Sequence, residues 1–308
     1  MPFSLHSHSG EFCHHGEGTL ESMILKAIEK QYLIYGISEH VPRFNKCHFY
    51  PEEQDLSEND LLQLFQGYIR EANRLKLKYQ HQIEILIGAE TENLGMEYLT
   101  QLKELLKENQ VDYLVGSIHH VNNIPIDFNQ ELYNEALKTH NNNYETLFLT
   151  YFQQQYEMIC QLKPRVIGHF DLIRLFCPKD KDYHVKFPNT VYKAIKRNIQ
   201  LVVDYDGLFE INTAGFKKGL NSAYPFQDII SLILELKGKF TLSDDAHRPS
   251  EVGQYYNKEL KEYLIKMKIK ELYCFTKRNN KHDCEKHLTN QLELIKFNDW
   301  EDILIDKN

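Results

Sequence analysis

The sequence lacks several features that define other classes of protein. Its six cysteines form no Cys-x-x-Cys pair and no regular framework, as expected for reduced thiols in an intracellular protein. Met1 is followed by no apolar leader, and the longest apolar stretches, such as residues 229–234, are too short to cross a bilayer. We therefore expect a cytoplasmic protein without a membrane partner.

The chain also lacks an excess of basic residues over acidic ones. Its formal net charge is −8 and its isoelectric point is near 6.0, whereas a nucleic-acid surface needs a basic stripe that neutralises phosphates. We therefore expect no nucleic-acid partner. With 42% hydrophobic and 26% charged residues over 308 positions, the composition is that of a globular protein, and one α/β barrel domain can use the whole length.

Short apolar runs alternate with segments of helical spacing, which is typical of repeated βα units. The predicted strands are Phe3 to His6, Leu33 to Ser38, Ile83 to Glu90, Tyr113 to Ile118, Arg165 to His169, Leu208 to Asn212, Phe240 to Ser243 and Glu271 to Phe275. The predicted helices are Leu20 to Gln31, Leu56 to Leu77, Leu94 to Leu106, Tyr144 to Leu162 and Phe226 to Leu236. Seven or eight such units predict a barrel, with polar inserted loops near 44–60, 128–143 and 176–189 that could form rims or a lid.

Histidines and acidic residues stand at the C-terminal ends of these apolar runs. They are His6, His8, His40, Glu90, His119, His169, Asp245 and His247, together with Asn212. In a parallel barrel this end carries the active site. Imidazole and carboxylate groups suit zinc, manganese or iron, so the sequence predicts a multi-metal centre there.

Strand alternation narrows the choice of ligands. His119 and His120 should point to opposite faces, so only one of them should bind metal. Glu90 ends a buried run, where an unpaired carboxylate would be costly. Glu92 has the same parity and remains the alternative. Asp171 has the parity of His169 and could orient that ring.

These residues lie in motifs that resemble the polymerase-and-histidinol-phosphatase superfamily. The motifs are His6-Ser7-His8-Ser9-Gly10, Ser38-Glu39-His40-Val41-Pro42, Gly88-Ala89-Glu90, Gly168-His169-Phe170-Asp171, Glu210-Ile211-Asn212-Thr213-Ala214-Gly215 and Ser243-Asp244-Asp245-Ala246-His247-Arg248-Pro249. The block from Val115 to Val121 is similar to the histidinol-phosphate phosphatase branch. The resemblance runs from residue 6 to about residue 253. It implies an α/β fold, a distorted (βα)7, TIM-like barrel.

The resemblance also implies a site for three divalent ions of zinc, manganese or iron. One ion would be held by His6, His8, Glu90 and Asp245, a second by Glu90, His119 and His169, and a third by His15, His40 and His247. His15 fits the loop of this family better than its neighbour His14. The expected catalytic residues are Glu90, Asp245 and His247.

Such a centre indicates phosphate chemistry, because three divalent ions outweigh the charge of two carboxylate ligands and attract anions. The chain has no nucleophilic serine motif, glycine-rich phosphate loop or Walker lysine. Metal-bound hydroxide is therefore the expected nucleophile. The resemblance implies hydrolysis of L-histidinol phosphate to L-histidinol and inorganic phosphate.

Substrate contacts are less determined by the sequence. The candidates adjoin the motifs or end strands: Arg43, Lys217, Lys218, Arg248 and Asn212 for phosphate, and Asp171 or Asp127 for the cationic leaving group. A relative that cleaves nucleotides or another small phosphate ester would share the same metal residues. A metal-occupied barrel that binds a phosphorylated ligand without turnover is a third possibility.

Overall fold

The computed structural model describes residues 2–278 and 288–297 of the chain. Its strands are β1 (Phe3–Ser4), β2 (Ile34–Ile37), β3 (Glu84–Thr91), β4 (Tyr113–Gly116), β5 (His120–Val121), β6 (Ile124–Pro125), β7 (Val166–Ile167), β8 (Leu208–Asn212), β9 (Lys239–Ser243), β10 (Leu272–Arg278) and β11 (Leu288–Phe297). Seven of them form one parallel sheet in the order β1-β2-β3-β4-β7-β8-β9.

The sheet closes into a barrel where its first and last strands meet. The amide of Leu5 donates to the carbonyl of Leu242 at 3.2 Å, and the amide of His8 donates to the carbonyl of Ala246 at 2.8 Å. Since all seven strands are parallel, their carboxyl ends meet at one end of the barrel. The predicted α/β fold, a distorted (βα)7 barrel, is confirmed.

Helices follow the barrel strands and bury one face each. They are α1 (Leu20–Glu29), α2 (Glu58–Tyr79), α3 (Met96–Glu108), α4 (Gln130–Thr139), α5 (Tyr144–Leu162), α6 (Asn189–Asp204), α7 (Ala214–Lys217), α8 (Gln227–Glu235) and α9 (Lys258–Lys266). In α2, Ser57 accepts a hydrogen bond from the amide of Asp60 and so caps the first turn, while Leu61, Phe65 and Tyr68 are buried at helical spacing. None of the helices in the described ranges is long and apolar enough to span a membrane.

The predicted eighth strand exists, but it does not belong to the barrel. Residues 271–275 fall largely within β10, which pairs antiparallel with β11, because the barrel is already closed between β1 and β9. The Phe3 and Phe297 rings stack with centroids 5.3 Å apart, and the Arg165 guanidinium lies 4.7 Å from the Phe275 ring centroid. This hairpin therefore packs at the amino ends of the barrel strands, opposite the carboxyl ends.

All three inserted loops contain short elements, and the third contains the 3₁₀ turn Lys179–Lys181. Residues 44–60 contain the 3₁₀ turns Lys46–His48 and Pro51–Glu53, and residues 128–143 contain α4. Helix α6 begins just after the third insertion and is not among the predicted helices, although Val191, Ile195 and Ile199 follow helical spacing and are buried. Cys13, Cys47, Cys160, Cys177 and Cys274 are free thiols, and Cys284 lies outside the described residues.

A tyrosine in the barrel wall requires glycine on the two preceding strands. The Tyr113 hydroxyl donates to the carbonyl of Leu5 at 2.7 Å. A Cβ atom at Gly36 would lie 2.1 Å from that hydroxyl oxygen, and one at Gly88 would lie 2.6 Å from Cζ of the same ring. Only a residue without a side chain leaves room for the ring at these two positions.

We expect Gly36→Ala to lower the free energy of unfolding by ~1–3 kcal/mol, because overpacking a dense core forces its neighbours to shift. Chemical denaturation measures the change. Gly67→Ala, in the half-buried middle of α2, is the control and should stay within ~1 kcal/mol of the wild type. Adding Tyr113→Phe to Gly36→Ala should restore part of the loss. Strictly additive losses would contradict the proposed overlap.

Candidate metal centre

Glu90 lies at the centre of the histidine cluster, near the carboxyl end of β3. Its Oε1 is 3.0 Å from Nε2 of His119 and 3.0 Å from Nε2 of His169. Its Oε2 is 2.9 Å from Nδ1 of His40 and 3.4 Å from Nε2 of His8. With only 1% of its side chain exposed, this carboxylate contacts imidazole rings from four other strand ends. It is placed to bridge two cations.

His6, His8 and Asp245 complete one side of the cluster. The Nε2 atoms of His6 and His8 are 3.1 Å apart, and Oδ1 of Asp245 is 3.7 Å from each of them. The Nε2 atom of His6 is also 3.3 Å from Oε1 of Glu90. Buried imidazole nitrogens that face each other between two carboxylates are a donor set that fits a divalent cation.

A second group of rings lies on the other side of His8. The His40 and His247 ring centroids are each 4.4 Å from that of His8. The candidate ligand atoms of His8, Cys13, His40 and His247 all lie within 4.8 Å of one another. Cys13, which the sequence analysis treats as a structural thiol, is thus close enough to be an alternative ligand.

Of the two neighbouring histidines in this loop, His15 faces the cluster. Its ring centroid is 4.8 Å from that of His247 and 5.5 Å from that of His40, while His14 is exposed. The His15 side chain is 43% exposed, with Nδ1 3.2 Å from Oε1 of Glu52. It is the most accessible of the predicted ligands.

Two further carboxylates hold the second nitrogen of histidines predicted as ligands, and a third lies near one without a hydrogen bond. Glu210 lies 2.8 Å from Nδ1 of His6, and Asp127 lies 2.8 Å from Nδ1 of His119. Glu39 lies 3.5 Å from Nδ1 of His8. Such contacts fix the tautomer and orientation of a ligand ring. The sequence analysis assigns none of them this role, although Glu39 and Glu210 occur inside the quoted motifs.

Asn212 supports Asp245 directly. Its Nδ2 donates to Oδ2 of Asp245 and to Oε2 of Glu210, both at 3.0 Å, and its Oδ1 accepts from the amide of Ala214 at 2.8 Å. The amide group is fully buried. Asn212, the candidate phosphate contact, thus holds Asp245, a predicted metal ligand, in position.

Glu92, the alternative to Glu90, faces a different network. Its Oε1 is 2.9 Å from Nδ1 of His120, so His119 and His120 point to opposite sides, as alternation predicts. Arg43 belongs to the same network and donates to Glu53 at 2.7 Å. Arg43 is buried and does not line the cavity beside the metal residues.

Asp171 is likewise directed away from the cluster. It accepts from the amide of Phe226 at 3.1 Å and lies 3.5 Å from Nε of Arg174. Burial raises its pKa to about 6, although Arg174 opposes the shift. Asp171 neither lines the cavity nor contacts Nδ1 of His169, which has no hydrogen-bond partner in the described ranges. Strand β7 ends at Ile167 and a 3₁₀ turn follows, so alternation does not extend to Asp171.

A cavity of about 310 Å³ opens beside the cluster, within the range of small-molecule sites. Three cations line it: Lys217, Lys218 and Arg248. Nζ of Lys217 is 2.8 Å from Glu251, and Arg248 is 2.6 Å from Glu17. Lys218 forms no ion pair with any residue of the described ranges, which leaves its ammonium available to an anion.

The metal-free cluster contains rings that hold a proton and rings that do not. Burial alone would lower the pKa of His8, but the nearby carboxylates of Glu39 and Glu90 raise it to about 9. Burial lowers the pKa of His40 to about 3, despite the nearby Glu90. Burial also opposes protonation of two further rings, yet neighbouring carboxylates raise their pKa values: His6 and His119.

A seven-stranded parallel barrel with clustered histidines and carboxylates at the carboxyl ends of its strands defines a metal-binding protein of the hydrolase type. The chain belongs to the PHP domain family, whose model matches residues 4–214. The predicted family resemblance is confirmed.

Two fungal relatives cover most of the chain. The "Probable histidinol-phosphatase" of Schizosaccharomyces pombe is 48% identical over 272 residues, which cover 88% of this chain and 89% of the relative. The histidinol-phosphatase of Saccharomyces cerevisiae is 35% identical over 304 residues, with 88% and 90% of the two chains covered. The similarity thus extends over most of the chain.

Solved structures support the same fold. A candidate histidinol phosphatase from Listeria monocytogenes superposes with a TM-score of 0.70 at 29% identity, covering 82% of this chain and 98% of that chain. A histidinol phosphate phosphatase from Lactococcus lactis, solved with zinc, L-histidinol and phosphate, has a TM-score of 0.61 at 17% identity and covers 89% and 97%. Both likenesses show the fold, and the cluster of this chain itself supplies groups that could hold a metal ion.

Glu90→Gln should remove at least one equivalent of bound zinc, because a neutral amide cannot replace a charged carboxylate that contacts five histidines. Elemental analysis of the zinc-loaded, desalted protein measures this. Glu92→Gln is the matched control, since Glu92 is also buried on β3's extension but contacts His120 instead. Full zinc occupancy in Glu90→Gln, with loss in Glu92→Gln, would move the bridge to Glu92.

Zinc binding to the metal-free protein should release protons and strengthen as the pH rises from about 6 to about 9. Neighbouring carboxylates raise the pKa values of His6, His8 and His119, so this group of rings holds protons at neutral pH that a cation must displace. The Nε2 atoms of His6 and His8 are 3.1 Å apart and share one proton at most. Calorimetry in buffers of different ionisation enthalpy counts them. A zinc affinity that is constant across this range would show that the rings are already neutral.

Proposed function

We propose that this chain hydrolyses L-histidinol phosphate to L-histidinol and inorganic phosphate, as a step of histidine biosynthesis in the cytoplasm. The observation that carries the proposal is one cavity that joins the histidine and carboxylate cluster to three cationic side chains. A metal cluster beside cations suits a phosphate ester. The names of the two fungal relatives, at 48% and 35% identity, support this substrate.

The proposed centre holds three divalent ions of zinc, manganese or iron. One is assigned to His6, His8, Glu90 and Asp245, a second to Glu90, His119 and His169, and a third to His15, His40 and His247. Bound ions would supply an activated water and neutralise charge on the phosphoryl oxygens. Glu90, Asp245 and His247 are the proposed catalytic residues because they hold these ions. The proximity of Cys13 to the third group leaves His15 as the ligand that most needs a test.

Further residues of the site bind the substrate or orient the proposed metal ligands. Glu210 and Asp127 hold the rings of His6 and His119, Glu39 lies beside that of His8, and Asn212 holds Asp245. We assign attraction of the phosphate group to the three cavity cations, with Lys218 foremost because its ammonium has no ion-pair partner in the described ranges. Arg43 and Asp171 lie outside this cavity. Arg43 is therefore assigned no phosphate contact, and Asp171 is assigned no contact with the leaving group.

Metal-replete protein should release phosphate from L-histidinol phosphate with a kcat/KM on the order of several hundredfold above that for nucleotides, sugar phosphates and p-nitrophenyl phosphate, because hydrogen-bonding sites discriminate strongly. Chelation should abolish the activity and zinc or manganese should restore it. Glu90→Gln serves as the metal-deficient control.

Equal or faster turnover of a nucleotide or another ester would retain the metal centre and overturn the substrate. Bound metal with no phosphate release from any compound would instead favour a binding protein.

A further inference from the structure

The cavity has a second wall that differs from the cationic one. Two inserted segments supply it, with Tyr50 and Glu52 from one and Asp127 and Phe128 from the other. The Tyr50 and Phe128 ring centroids are 6.1 Å apart, with the ring planes inclined by 32°. Phe128 is 41% exposed, so an aromatic ring is open to solvent at the mouth of the cavity. These four residues are aromatic or acidic, whereas the cations that line the cavity are Lys217, Lys218 and Arg248.

Both carboxylates of this wall have an unused oxygen. Oε1 of Glu52 is 3.2 Å from Nδ1 of His15, and Oδ2 of Asp127 is 2.8 Å from Nδ1 of His119. Their other oxygens, Oε2 of Glu52 and Oδ1 of Asp127, are inaccessible and have no hydrogen-bond partner in the part of the chain that the structure describes. Burying such an acceptor costs free energy unless a hydrogen-bond donor contacts it. Both residues line the cavity, so a ligand with N–H groups would supply that donor once each carboxylate turns toward it.

Tyr50 is held rigidly in this wall. The Arg43 guanidinium lies 4.5 Å from the centroid of its ring, and the His120 ring centroid lies 5.0 Å away. The amide of Tyr50 donates to Glu53 at 2.9 Å, and Glu53 also accepts from Arg43 at 2.7 Å. A ring fixed in this way loses little freedom when a ligand packs against it. Arg43 thus acts as a positioning residue for the wall.

We infer that Tyr50, Glu52, Asp127 and Phe128 form the subsite for the leaving alcohol and select one that carries both an ammonium group and a flat nitrogen ring. The inference rests on the proposed function and adds the residues that choose the leaving group. Glu52 and Asp127 accept the N–H groups, and the ring packs against the exposed Phe128 beside Tyr50, where a cationic imidazole gains from the aromatic face. Lys217, Lys218 and Arg248, which line the same cavity, hold the phosphate, so the two sets of side chains fix the direction of the substrate.

A purely orienting role for the two carboxylates makes a different prediction. Holding His15 and His119 requires one oxygen each, and the amide oxygen of Gln or Asn can accept the same hydrogen bond. Glu52→Gln and Asp127→Asn would then leave substrate choice unchanged. If the second oxygens bind the leaving group, both variants lose a charged acceptor where the ammonium should lie.

The test uses metal-replete Glu52→Gln, Asp127→Asn and Phe128→Ala. The controls are Asp55→Asn and Glu131→Gln, exposed residues near or within the same two insertions. Two quantities are measured: the ratio of kcat/KM for L-histidinol phosphate to that for propyl phosphate, which lacks the amine and the ring, and the inhibition constant of L-histidinol. Elemental analysis of each protein accompanies them.

In each of the three variants the ratio should fall at least tenfold, mainly through KM, and the inhibition constant of L-histidinol should rise at least tenfold, while both controls match the wild type. Unchanged ratios and inhibition constants at full metal occupancy would overturn the inference. If Glu52→Gln or Asp127→Asn loses metal, the result for Phe128→Ala decides whether the inference holds. In the described ranges the Phe128 ring contacts Tyr50 and no histidine of the cluster. Wild-type protein that fails on L-histidinol phosphate would overturn the proposed function, and the inhibition constants would still decide on the subsite.

Discussion

The buried carboxylate of Glu90 is the constraint on which the centre depends. A charged group with almost no exposure is costly in a protein interior unless opposite charge or hydrogen bonds surround it. Here histidines from other strand ends surround it, and their presence lowers the pKa of Glu90 well below its usual value in spite of burial. The barrel meets this demand only because its seven strands end at the same level. The fold and the candidate metal centre therefore depend on the same alignment of strand ends.

A second layer of carboxylates gives this arrangement its rigidity. Glu210 alone contacts the ring of His6, the amide of His169, the side chain of Asn212 and the hydroxyl of Ser243. Because one residue joins β8, β1, β7 and β9 in this way, a small shift of any one strand would disturb several contacts at once. The layer also explains why Asn212 at the end of β8 is buried and fully bonded, and why it does not face the cavity.

The sequence predicts which side chains gather around Glu90 because nearly all of them stand at strand ends, and a strand end is a local property. Alternation separates His119 from His120 for the same reason. It fails for Asp171, since a 3₁₀ turn follows the short β7, and it gives no information on Arg43, whose partner Glu53 comes from the loop itself. The role of Asn212 depends on a 3.0 Å contact with Asp245 on another strand, which no local pattern contains. The closing of the barrel at seven strands is likewise a property of the whole sheet.

Closure of the barrel between β1 and β9 also has a consequence for biosynthesis of the protein. The centre combines His6 and His8 from the start of the chain with Asp245 and His247 from near residue 250, so most of the polypeptide must leave the ribosome before a complete set of ligands exists. Contacts of such long sequence separation form late and slowly. A nascent chain can therefore capture metal only partially. Binding of a metal by the complete set of residues therefore requires that synthesis has passed the last barrel strand.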